Sequence, residues 1–120
     1  MSLKILSHLF TGPYDFDTTK VRANQDPVIF AIISRGGKPW NPEFSLMDIG
    51  KSGEKGVVFN DHPQRNEWLS LCKGDSEACI YLLSVKKDRK EDTDPRDKII
   101  QEIRQSLKPP GGAIPIHGMM

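Results

Sequence analysis

The chain has 120 residues, 28% of them charged and 37% hydrophobic, with a formal net charge of +1 at pH 7. That length holds one domain with its own core, and the charge balance excludes a globally basic nucleic-acid binder, so any basic surface has to be local. No apolar run approaches the roughly 18 residues of a membrane helix and no signal-peptide pattern opens the chain. The only cysteines, Cys72 and Cys79, are too few for a closed zinc site, and a reduced cytoplasmic protein without membrane association is the expectation.

The first fourteen residues, MSLKILSHLFTGPY, carry Leu3, Ile5, Leu6, Leu9 and Phe10 and fit either a short strand or a helix, ended by the Gly12-Pro13 turn signal. The polar DFDTTKVRANQDP, with Asp17 placed to cap a helical turn, leads into Val28 to Ser34, VIFAIIS, which predicts a buried strand. RGGKPWNPE is rich in glycine and proline and reads as a hairpin loop, with Trp40 either packed over it or exposed for stacking. FSLMDIG returns as a second strand, with Phe44, Leu46 and Asp48 on one side. After KSGEKG and VVF, Asn60 or Asp61 is placed as the N-cap of a helix from about Pro63, with Trp68, Leu69, Leu71 and Cys72 on one face and Gly74 at its end.

Ala78 to Val85, ACIYLLSV, predicts a third strand, and the charged KKDRKEDT after it reads as a solvated loop. The last helix has Asp94 as N-cap and Pro95 at its first position, and it runs to about Leu107 with a buried stripe of Ile99, Ile100, Ile103 and Leu107. Arg96 points toward that apolar face and Arg104 toward solvent, and Pro109-Pro110 stop the helix ahead of a tail. Gly50-Lys51-Ser52 matches the end of a phosphate-binding G-x-x-x-x-G-K-[ST] loop. Its first glycine is replaced by Ser45 and the residues between are apolar strand, which excludes that reading.

The order strand, hairpin loop, strand, glycine, helix, strand, helix describes a small α/β domain with a three-stranded antiparallel or mixed sheet flanked by helices. Combined with Val28-Ile29-Phe30, Asp48-Ile49-Gly50, the turn IGKSG, Asp61-His62 ahead of a tryptophan-bearing helix, and IIQEIRQSLKPPGG, it resembles the GIY-YIG nuclease family. The resemblance spans residues 27–112 of a single domain 1–120 and leaves 113–120 as a C-terminal tail. It implies phosphodiester cleavage with Mg²⁺ or Mn²⁺, in which two tyrosines position and deprotonate a water, an arginine clamps the phosphate and a glutamate holds the metal.

Carried over by position, the first tyrosine becomes Phe30, the second Asp48, the arginine Val58, four residues before His62 at the histidine position, and the glutamate is retained as Glu102. Phe30 cannot share a proton, and Val58 offers nothing to a phosphate. Lys51 and Lys55 are the nearest cations, and with Arg96 they are the candidate nucleic-acid contacts. With Phe30, Asp48 and Val58 replaced, the resemblance implies an impaired nuclease homologue acting as a nucleic-acid-binding or interaction module.

The enzymatic alternative is a metal-dependent DNA endonuclease with a rebuilt site. In it Asp48 and Glu102 share one Mg²⁺ or Mn²⁺, His62 is the base, and Lys51 or Lys55 is the clamp. A third reading is a structural protein whose Ile114-Pro115-Ile116 tail docks on a neighbour, a homodimer being the simplest such assembly. Taken without the resemblance, Glu102 also reads as a helix-surface carboxylate, Asp48 as a polar strand end, and His62 as a hydrogen-bonding residue at a helix N-terminus.

Overall fold

A strand with an unbroken apolar run has to be covered on both faces, and Val28-Ile29-Phe30-Ala31-Ile32-Ile33 imposes that condition on everything around it. The computed structural model describes residues 2–22, 27–38, 41–52, 56–71, 77–85, 95–109 and 112–113. In chain order the elements are β1 (Ser2–Ile5), β2 (His8–Tyr14), β3 (Lys20–Arg22), β4 (Val28–Lys38), β5 (Asn41–Lys51), β6 (Gly56–Val58), α1 (Arg65–Leu71), β7 (Glu77–Ser84), α2 (Pro95–Leu107) and β8 (Gly112–Ala113). An antiparallel sheet has the order β1-β2-β7-β4-β5-β8, and β3 and β6 pair separately as a two-stranded sheet.

β4 lies inside the larger sheet, between β7 and β5, and its alternation divides the core in two. Ile29, Ala31 and Ile33 join Phe44, Leu46 and Ile49 of β5, Cys79 and Tyr81 of β7 and Leu3, Ile5 and Phe10 of the first hairpin, packed with Ile100 and Ile103 of α2. On the other face, Val28, Phe30 and Ile32 join Met47 and Ile80 against Trp68 of α1, Phe59, Phe16 and Val21 of β3. α2 and α1 therefore sit on opposite sides of the sheet. No helix among the described residues is long and apolar enough to cross a membrane.

This corrects the expected three-stranded sheet flanked by helices: the molecule is mostly β, with strands added at both ends of the chain. Residues 2–14 form a hairpin, because Leu3 and Ile5 alternate with exposed Lys4 and are themselves fully buried. The chain reverses at Leu6, whose φ is 55°, and the Gly12-Pro13 signal falls inside β2. Asp15, in place of Asp17, organises the next turn, its Oδ1 accepting from the Thr18 backbone N–H at 2.7 Å. KVR and GVV then pair as β3 and β6, where Gly56 has φ 81° and a Cβ would lie 1.9 Å from the Val21 carbonyl oxygen, so only glycine fits.

The glycine- and proline-rich segment read as a loop is largely strand, since pairing continues out to Lys38 and Asn41. α2 begins at Pro95 and ends at Leu107, as its proline and apolar spacing predict. Trp40, Lys55, Cys72, Gly74, Asp94, the run KKDRKEDT and the segment Ile114-Pro115-Ile116 lie outside the described residues.

One irregularity positions the site. Ile32 pairs with Asp48 but Ile33 pairs with Leu46, so Met47 is an extra residue in β5. The bulge turns Met47 and Asp48 toward the α1 side together. Simple alternation had put Asp48 with Phe44 and Leu46; the structure puts it on the opposite face.

Candidate functional site

Across the end of β5, α1 brings an aromatic cluster onto Asp48. Trp68 is almost wholly buried, and its indole Nε1–H donates to Asp48 Oδ2 at 2.8 Å. Asp48 Oδ1 accepts the Ile49 backbone N–H, also at 2.8 Å. The His62 ring stacks on the indole with centroids 4.5 Å apart and planes tilted by 30°. Phe30 completes the group, its centroid 5.9 Å from Trp68, 6.2 Å from His62 and 5.2 Å from Phe59. These spacings lie in the range of favourable aromatic pairs.

His62 also shapes the turn that leads into α1. Its Nδ1 accepts the Gln64 backbone N–H at 3.1 Å and its carbonyl accepts the Arg65 N–H at 3.1 Å, with Pro63 between. This is a capping turn ahead of the helix, which starts at Arg65 and not at about Pro63, and an imidazole nitrogen does here what a Ser or Asp oxygen usually does. The first helical bond runs from the Trp68 N–H to the Gln64 carbonyl, so Gln64, and neither Asn60 nor Asp61, stands at the N-cap position. Burial pushes the His62 pKa below the ordinary histidine value, and the nearby Asp48 charge offsets part of that.

The structure thus gathers three of the positions picked out in the sequence, Phe30, Asp48 and His62. Val58 is exposed on β6, paired with Lys20 in the small sheet. Glu102 is exposed on α2, across the sheet from Asp48, so the two carboxylates approach from opposite sides of the strands. Both Asp48 oxygens already accept N–H groups, and among the described residues no three His, Cys, Asp or Glu side chains come together. A hard divalent cation needs converging oxygens, and the pair Asp48 and Glu102 does not fit one.

Of the three candidate cations, Arg96 and Lys51 are engaged within the fold, and Lys55 lies outside the described residues. Buried Arg96 directs Nη1 to the Val28 carbonyl at 3.1 Å, the Ser52 carbonyl at 2.9 Å and Ser52 Oγ at 3.1 Å, tying α2 to the ends of β4 and β5. Lys51 Nζ lies 2.7 Å from Asp97 Oδ1. Arg104, read as solvent-facing, is exposed and also donates Nη2–H to the Ile49 carbonyl at 2.8 Å. The residue that sequence reasoning missed is Trp68. It reads as core, and it is core, but nothing in the local pattern signals that its N–H holds Asp48. No protein family, curated protein or solved structure matches this chain.

Proposed function

We propose that the chain is a non-catalytic interaction module, with α1 and the turn before it as its binding surface. The observation that carries this reading is the state of Asp48. Its two oxygens are held by the Trp68 indole and the Ile49 amide beneath the aromatic cluster, a positioning role, while Glu102 lies across the sheet. Exposed Leu69 on α1 and Val58 on β6 add apolar contact area to that side of the protein. The internal engagement of Arg96 and Lys51 favours a protein partner over a nucleic acid. A cytoplasmic location belongs to the same reading and is supported by the low cysteine content.

The test is a cleavage and binding assay with Mg²⁺ or Mn²⁺ over single-stranded, duplex and branched DNA at two salt concentrations. The expected outcome is no cleavage, with any retention of DNA lost at the higher salt. Robust metal-dependent cutting that Glu102→Ala abolishes would overturn the proposal.

A further inference from the structure

We propose that His62 is a proton-operated latch: the neutral imidazole holds the turn that leads into α1 against the aromatic cluster, and the imidazolium releases it. A ring nitrogen accepts a hydrogen bond only while it carries no proton, so Nδ1 accepting from Gln64 N–H fixes the neutral Nε2–H tautomer. Protonation at Nδ1 sets two N–H donors against each other in that turn, which breaks the bond to Gln64. The ring is stacked on Trp68, so a displaced imidazole also disturbs the residue that holds Asp48.

The surroundings define the balance. From β5, Asp48 faces the ring and favours the charged form. β4 contributes Phe30 and α1 contributes Trp68, neither of which titrates. Asp61 precedes the ring in its own turn and is exposed, and Arg65 on α1 is directed to Asp17, with Nη2 at 3.7 Å from Oδ1. Burial outweighs the Asp48 attraction, which keeps the latch closed at neutral pH and opens it under mild acid. Such a latch would regulate the binding surface proposed above and rests on that reading for its use, but it is read on the protein alone, so its failure is distinct from any result of the DNA assay.

The test is an NMR titration of the full chain from about pH 8 to about pH 5, the window in which a histidine changes charge. The Gln64 amide and the Trp68 indole N–H should move together with the His62 ring at one midpoint below about 6.5, and α1 amides should exchange about 10-fold faster beyond it. Asp48→Asn should lower that midpoint. His62→Asn, which keeps a capping side chain without a titrating one, should hold both signals flat. A His62 ring that titrates without moving Gln64 and Trp68, a ring that does not titrate in this window, or a transition that survives in His62→Asn would overturn the proposal.

Discussion

Gly50 lies directly beneath the Phe30 ring: the two residues are cross-strand partners, and a Cβ built on Gly50 would fall 2.6 Å from Phe30 Cζ and 2.9 Å from Cε2. The glycine is a space requirement here, created by the ring that also touches Phe59, Trp68 and His62. Gly50→Ala should destabilise the protein by about 1–3 kcal/mol, the usual result of overfilling a packed site. Chemical denaturation measures it, and Phe30→Leu in the same chain should recover part of the loss.

Asp48 and Trp68 should behave as one unit. Asp48→Ala removes the Oδ2 acceptor from the indole N–H, and Trp68→Phe takes a donor away from the carboxylate, so each single change should be nearly as costly as both together. A double-mutant cycle should give a coupling of about 0.5–3 kcal/mol. Additive effects would show that the contact contributes nothing of its own.

Two ion-bearing contacts on α2 should differ sharply. Arg96 is buried and satisfies two backbone carbonyls and a hydroxyl from one nitrogen, so Arg96→Met should cost about 1.5–3 kcal/mol. Arg96→Lys should recover little, because an ammonium does not reproduce the reach and planar geometry of the guanidinium. The neighbouring Lys51–Asp97 pair has side chains 38% and 63% exposed, and Lys51→Ala should cost less than about 1 kcal/mol. Urea unfolding of the three variants under one set of conditions makes the comparison.

Tyr81 is fully buried, and its hydroxyl has no hydrogen-bond partner among the described residues. Burial raises its pKa, with the Cys79 thiol adding to that and Arg35 opposing it. A raised value means that the unfolded chain loses this proton first as pH rises. The associated stability is therefore fully present below about pH 10, the ordinary tyrosine value, and is lost above it as pH approaches the folded value. Tyr81→Phe should weaken this alkaline dependence and leave neutral-pH stability unchanged or higher, since it deletes a buried polar group that gains nothing. Thermal melts from pH 7 to about pH 11 test both statements.

What the sequence makes readable here is whatever depends on long apolar runs. β4, β7 and α2 announce themselves because continuous burial demands Val28-Ile29-Phe30-Ala31-Ile32-Ile33, and because a helix with one covered side repeats its isoleucines at helical spacing. The first hairpin hides because its reversal uses Leu6 at positive φ, where asparagine or glycine would have been the signal. The turn before α1 hides because an imidazole seldom takes the accepting role in one. At the site, only the family resemblance groups Asp48 and His62 in the sequence, and the separation of Asp48 from Glu102 depends on a bulge that no residue in SLMDIG marks.

That bulge also decides how β5 tolerates changes in length. Even-numbered residues up to Leu46 face α2 and odd-numbered residues from Ile49 do, the phase reversing across Met47 and Asp48. Deleting Met47 would leave Leu46, Asp48 and Ile49 in unbroken alternation, every remaining side chain still on its own side, at the cost of one apolar group from the α1 core. A deletion elsewhere in the strand has no such slack, and would force part of it to exchange core for solvent. The extra residue acts as an expansion joint, and length variation in β5 should be accepted at that joint first.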